Sequence, residues 1–194
     1  MKTNPEIARY SRFQRTGVKN IRQYADSVRD DYLSIRKHLP AVCTDILDIG
    51  CGMAGIGIML TRHYHGECNL HLLDKDGVSD NLRYGYHEEA SHYNSLAVTR
   101  EFLILNQVNP VNIFTYDVSK NEFPAIKAQI ILSLISCGFH YPVCTYLEQI
   151  REMSSGIVVL DIRKGTDQMK QLADSFRHVE TIADYRKYER VLMK

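Results

Sequence analysis

Charge of either sign is not in excess: 24 Lys and Arg stand against 23 Asp and Glu, so no overall field gathers a polyanion, and nucleic acid is not expected as a partner. Paired cysteines are also missing. The five, Cys43, Cys51, Cys68, Cys137 and Cys144, are odd in number and form no C-x-x-C motif, which speaks against a disulfide framework and for free thiols in a reducing cytoplasm. No run approaches the ~20 apolar residues that span a bilayer, and the opening MKTNPEIARYSRFQR has no apolar core of signal-peptide length. A soluble, cytoplasmic protein with no membrane partner is expected. Repeats and low-complexity stretches are absent. His63, His65 and Cys68 lie close together but at the exit of an expected helix, with no fourth ligand at useful spacing, so no metal is expected.

What is present suits one packed domain: 194 residues, 44% of them hydrophobic. Residues 1–40 are polar, with Ile21, Tyr24, Val28, Tyr32, Ile35 and Leu39 on one helical face ended by Pro40. This segment reads as an N-terminal helical extension, either a lid carrying Arg22, Tyr24 and Arg29 or a solvated packing helix. From residue 41 to 194 strands and helices alternate. Strands are expected at DILDIG (45–50), NLHLLD (69–74), NIFTYD (112–117), QIILSLIS (129–136) and GIVVLD (156–161), and helices at 56–65, 90–108, 142–153 and 164–176. The tail, RHVETIADYRKYERVLMK, has two alternating runs about a polar turn, which suit an antiparallel pair at a sheet edge. Segment 75–92 is open between helix, loop and flap. This order predicts an α/β domain, a parallel sheet wound on both sides with ligands at the carboxyl ends of its strands.

The chemistry concentrates there. In ILDIGCGMAG (46–55), Gly50 and Gly52 allow a sharp turn and a close ligand, and the helix after Gly55 would aim its amide end at it. Asp48 stands two residues before the first glycine, where it can orient the turn and meet a ligand ammonium. Asp74 closes the second strand, where an acid can accept from both ribose hydroxyls, and Asp117 closes the third, beside the expected adenine. Gly50, Gly52 and Gly55 also match G-x-G-x-x-G, so an NAD-type oxidoreductase stays open on this turn alone.

LDIGCGMAG, LLD, TYD and the hairpin ADYRKYERVLMK together resemble the class I S-adenosylmethionine (SAM)-dependent methyltransferase family across about residues 45–193. The resemblance implies a Rossmann-like seven-stranded sheet of order 3-2-1-4-5-7-6 with a C-terminal antiparallel hairpin. It implies SAM as cofactor, held by Asp48, Gly50, Cys51, Gly52, Asp74, Lys75, Asp117, Val118 and Ser133. Two positions depart from the pattern: Ala54 stands for a third glycine, and Gln129 for an acid at the start of the fourth strand. The departure at Gln129 argues against amide or nucleobase chemistry and lends support to a SAM-binding protein without activity. The YGYHEE, HYNSL and S-x-x-S-C-G-F-H-Y-P segments resemble small bacterial and phage proteins labelled as sugar O-methyltransferases.

Methyl transfer needs an aligned acceptor and, for a hydroxyl, a base. His140, in SCGFHYP just beyond the fourth strand, is the candidate base; its alternative is to shape the turn through its ring nitrogens. Tyr84, Tyr86, His87, Tyr93 and Tyr141 are the candidate acceptor-binding residues, with His92, Asn94, Glu88 and Glu89 nearby. Such a cluster suits a polyhydroxylated ring, or else aromatics packing on the sheet. The expected activity is metal-independent O-methylation of a small polar acceptor, a sugar among the candidates; a homo-oligomer is compatible with all of this.

Overall fold

The computed structural model describes residues 1–14, 17–78, 93–120 and 122–194. Its strands are β1 (Asp45–Ile49), β2 (Asn69–Asp74), β3 (Gly77–Val78), β4 (Tyr93–Asn94), β5 (Ile113–Asp117), β6 (Ala128–Ser133), β7 (Ser154–Arg163), β8 (Val179–Asp184) and β9 (Tyr188–Met193). Its helices are α1 (Pro5–Ser11), α2 (Ile21–Ile35), α3 (Gly55–His63), α4 (Leu96–Leu105), α5 (Leu147–Met153) and α6 (Gln168–Ser175). Seven strands make one sheet in the order β5-β2-β1-β6-β7-β9-β8, while β3 and β4 form a separate two-stranded ribbon. Numbered consecutively, the seven run 3-2-1-4-5-7-6, the expected order, and β8 with β9 is the expected antiparallel hairpin.

Side-chain alternation divides the core in two. Ile46, Leu70, Leu72, Ile130 and Leu132 face α1 to α4, whereas Leu47, Ile49, Leu73, Ile131 and Leu160 face α5 and α6. Strands β1, β2, β5, β6 and β7 are mutually parallel, so their carboxyl ends line one edge. That edge brings the end of β1, Asp74 and Asp117 together, the last two in register with each other.

Several local expectations are corrected. The helix expected from residue 90 begins at Leu96, because Ser95 accepts from Val98 N as its cap and Tyr93–Asn94 is extended against Gly77–Val78. Residues 142–153 are not one helix. Pro142 leads into a single 3-10 turn, and α5 starts only at Leu147, because Tyr146 (φ −130°) is not helical. The N-terminal helix ends at Ile35 and continues as one 3-10 turn to His38. The apolar run 129–136 leaves the sheet after Ser133, since Ile135 takes a left-handed φ of +58°. Helix α1, with Asn4 as cap and Pro5 in its first turn, is a separate helix within the expected helical extension, ahead of the amphipathic face that begins at Ile21.

Gln129 has a plain structural task. It lies at the amino end of β6, the opposite sheet end from the strand tips. Its Oε1 accepts from Asp45 N (2.8 Å), Thr44 Oγ1 (3.1 Å) and Thr44 N (3.2 Å), joining the starts of β6 and β1. It therefore has no bearing on acceptor chemistry and no longer supports an inactive protein. Gln129→Ala should lower stability by about 0.5–1.5 kcal/mol, because it removes bonds that join two strand starts. Gln129→Glu should lose much less, because a carboxylate can accept the same bonds. Chemical denaturation of the three proteins checks this, and equal midpoints would refute it.

Candidate functional site

The chain leaves β1 through three left-handed residues, Gly50 (φ +67°), Gly52 (φ +51°) and Ala54 (φ +51°). At Gly50 glycine is required twice over: the angle favours it, and a Cβ would lie 1.8 Å from Ser136 Oγ. The turn is tied to its neighbours. Gly50 N and Cys51 N both donate to Leu73 O at the end of β2 (2.7 and 3.2 Å). Gly52 N donates to Asp74 Oδ2 (2.7 Å), Met53 N to Gln14 Oε1 (3.0 Å) and Gly55 N to Tyr24 Oη (3.1 Å). The amides expected to face a ligand are thus each met by the protein, Gln14 and Tyr24 coming from the N-terminal segment. Tyr24 is one of the residues named for an N-terminal lid, whereas Gln14 is not, because nothing local in the sequence couples it to a turn so far along the chain.

The three acids at the strand tips differ sharply. Asp117, 5% exposed, accepts at Oδ1 from Ser119 Oγ (2.6 Å), Ser119 N (3.0 Å) and Asp76 N (3.3 Å), while Oδ2 meets Lys120 Nζ (3.2 Å). The Ser119 hydroxyl leads in holding its carboxyl down at about 2. Asp74 is half-buried and accepts from Gly52 N, Lys75 N (2.8 Å) and Asn94 Nδ2 (3.1 Å). Burial outweighs these donors and lifts it to about 6, with the Asp117 charge adding to the rise. Asp48 is 6% exposed, and among the described residues no hydrogen bond or ion pair reaches its carboxylate. Burial, then the charges of Asp74 and Asp31, raise it to about 7. A carboxylate in that condition is built to receive a cation.

The remaining predicted residues take varied places. Cys51 is buried, its thiol pushed up by burial and by Asp74 and Asp48. The Lys75 side chain is exposed beside Asp74, and Val118 opens the turn after β5. Ser133 has no exposed surface; its Oγ donates to Ile49 O (2.7 Å) and accepts from Cys137 N (2.8 Å), so it braces β6 against the end of β1 and is not open to a ligand. His140 is half-buried, its backbone N bonded to Ser136 O (2.8 Å) and its ring edge-on to Phe139 at 5.0 Å. Tyr141 Oη lies 3.1 Å from Ser136 Oγ and would sit 3.6 Å from a Cβ on Gly50, so the rim after β6 meets the glycine turn. Tyr146, unanticipated, packs edge-on against Tyr141 at 5.9 Å. Tyr84, Tyr86 and His87, with Glu88, Glu89 and His92, lie outside the described residues; Tyr93 is described only as backbone of β4. Asn94, from the same predicted cluster, does reach the site: its amide bonds Asp74, and its Oδ1 accepts from Thr99 Oγ1 (3.2 Å).

No family model and no curated protein matches the sequence. Among solved structures, the chain is similar to the precorrin-6y C5,15-methyltransferase of Geobacter metallireducens, at 14% identity and TM-score 0.58, covering 84% of this chain and 86% of that one. It is similar also to the StiE O-methyltransferase segment, at 14% identity and TM-score 0.59, covering 92% of this chain and 60% of that one. A third is the 16S rRNA N2 G1207 methyltransferase (RsmC) of T. thermophilus in complex with AdoMet and guanosine, at 13% identity and TM-score 0.58, covering 94% of this chain and 44% of that one. The chain therefore spans less than two thirds of the last two. What these likenesses establish is the fold, the Rossmann-like seven-stranded sheet with a terminal hairpin.

Asp48 gives a pH test in the ligand-free protein. The folded state keeps its proton up to about pH 7, whereas an unfolded chain releases it near ~4. Stability contributed by Asp48 is therefore lost as pH climbs through that window. Asp48→Asn lacks this slope, so its stability relative to the parent should improve by about 1–3 kcal/mol from pH 5 to pH 8. Parallel pH profiles in denaturant titrations would show that Asp48 is not held in this state.

Proposed function

We propose that this chain is a SAM-dependent methyltransferase that methylates a hydroxyl of a small polar, sugar-like acceptor. The observation that carries the reading is the Asp48 carboxylate, buried and unbonded among the described residues beside Asp74. SAM bears an ammonium and a sulfonium, charges that such an acid stabilises. A nicotinamide dinucleotide presents a pyrophosphate instead, which would meet Asp48 and Asp74 while finding the turn's amides already bonded. Electrostatics on the same turn thus favour the sulfonium ligand, where glycine spacing alone did not. The likeness to methyltransferase structures supports the same choice at the level of fold.

In this reading SAM supplies an electrophilic methyl group. Asp48 pairs with the ammonium, Asp74 and the Gly50–Gly52 turn border the nucleoside, and Asp117 with Val118 closes the adenine side. N-terminal residues 1–40 close the site, as Gln14 and Tyr24 already touch the turn. The acceptor lies on the rim after β6, where Ser136 and Tyr141 form a hydroxyl pair against Gly50. Burial pushes the Tyr141 phenol well up, so it stays protonated and orients the acceptor through hydrogen bonds. His140 is the proposed base, taking the hydroxyl proton. A neutral, small acceptor agrees with the balanced charge of the chain.

Thermal stability followed with SAM and with NAD at about 100 times the dissociation constant separates the two ligands, since binding at that level adds ~2.7 kcal/mol. A rise with SAM and none with NAD is expected; the reverse would end the proposal. His140→Ala should cut turnover by about 10²-fold or more and leave SAM affinity unchanged. A +14 Da product from a saccharide extract, sought by mass spectrometry, provides the turnover readout, and undiminished product in the variant would make His140 structural.

A further inference from the structure

Arg190, on β9, has no exposed surface. Its guanidinium grips two other elements at once. Nε and Nη2 donate to the two oxygens of Asp161 on β7 (2.7 and 2.8 Å), Nη2 also to Asp31 Oδ1 on α2 (2.9 Å), and Nη1 to Ser34 Oγ (2.7 Å). Asp161 is equally unexposed, and its Oδ2 accepts in addition from Ile135 N (3.1 Å). Ile135 is β-branched yet left-handed, a conformation that persists only where the surroundings hold it. The next residue is Ser136, whose hydroxyl rests on Gly50.

We propose that Arg190 is a positioning residue for the methyl-transfer site: by fixing Asp161 it holds Ile135 left-handed and thereby sets the Ser136 hydroxyl on the glycine turn, while Asp31 and Ser34 lock α2 into the same frame. This rests on the functional reading above. A buried ion pair is weak evidence for stability as such, since apolar replacements often serve as well. What apolar replacements cannot do is present two aligned oxygens to a guanidinium, one of which also accepts from a strained loop amide. The clamp also fixes the field of the site. It holds Asp31, and Asp31 is one of the charges that Asp48 feels. Helix α2, which carries Asp31 and Ser34, also contributes Tyr24 on Gly55 N. Arg190 thus connects the N-terminal segment, the terminal hairpin and the acceptor rim, three parts that sequence distance keeps separate.

Arg190→Lys keeps the charge and loses the fork. Hydrogen exchange in the ligand-free protein should show the Ile135 amide exchanging about tenfold faster while Leu132 in β6 is unchanged, and SAM affinity measured by calorimetry should fall about tenfold. Adding Ile135→Gly to Arg190→Lys should restore affinity to within about threefold of the parent, because glycine takes the left-handed conformation without steric cost. A purely structural arginine would instead lower the melting temperature with Ile135 exchange and SAM affinity unchanged, or would resist rescue by glycine; either result overturns the proposal. If Arg190→Lys does not fold, Ser34→Ala removes one partner of the same clamp. A change of about threefold in Ile135 exchange is then expected, and no change overturns the proposal. Should the parent protein bind no SAM, the function proposed above fails, and the exchange measurement alone still decides whether Arg190 positions Ile135.

Discussion

Taking a carboxylate out of water costs several kcal/mol unless donors or a cation meet it. Asp48 is met by neither among the described residues. Nearly everything around it serves to keep it so. Ile46 and Leu47 before it and Ile49 after it are apolar β-strand residues that place it near the carboxyl end of β1. The turn that follows directs its own amides elsewhere, to Leu73, Asp74, Gln14 and Tyr24. Asp74, the neighbouring acid, is occupied in holding Gly52, Lys75 and Asn94. The site is thus arranged as a negative pole with its donors satisfied, a form suited to a small cation and unsuited to a phosphate.

The second constraint is the joining of distant parts of the chain. Parallel strands bring three acids to one edge, but the edge becomes a site only when the N-terminal segment covers the turn and the loop after β6 folds back on it. Both closures run through side chains with no local reason to be where they are: Gln14 and Tyr24 on one side, Ile135 and Ser136 on the other. The Arg190 clamp is where these closures meet, which explains why so polar a group is placed in the interior of the hairpin.

Much of the frame was legible in sequence. NLHLLD is β2 to the residue, and the alternating tail is the hairpin, because hydrophobic period and strand length agree there with the final packing. The site was legible as a set of positions more than as a set of roles. Gly50, Gly52, Asp48 and Asp74 do converge, yet Asp74 bonds the glycine turn, Asp117 bonds its own turn, and Ser133 braces two strands from a buried position. Gln129 looked like a departure in a reactive place and proved to tie strand starts at the far end of the sheet. What sequence could not show is tertiary override. The apolar run at 129–136 reads as unbroken strand, and only the bond from Ile135 N to Asp161 reveals why the chain turns left-handed within it. Local cues did exist for α4, where Ser95 is an ordinary cap residue hidden by the longer apolar spacing around it.

The central claim is the state of one carboxyl group, so its titration is the most direct test. Carbon-13 NMR of the Asp48 side-chain carboxyl, followed against pH in the ligand-free protein and again with saturating SAM, reads it without any assay of turnover. The account predicts a midpoint at about 7 without ligand, falling well into the ordinary carboxylate range once the cation is bound. A midpoint near ~4 that SAM does not move would contradict it.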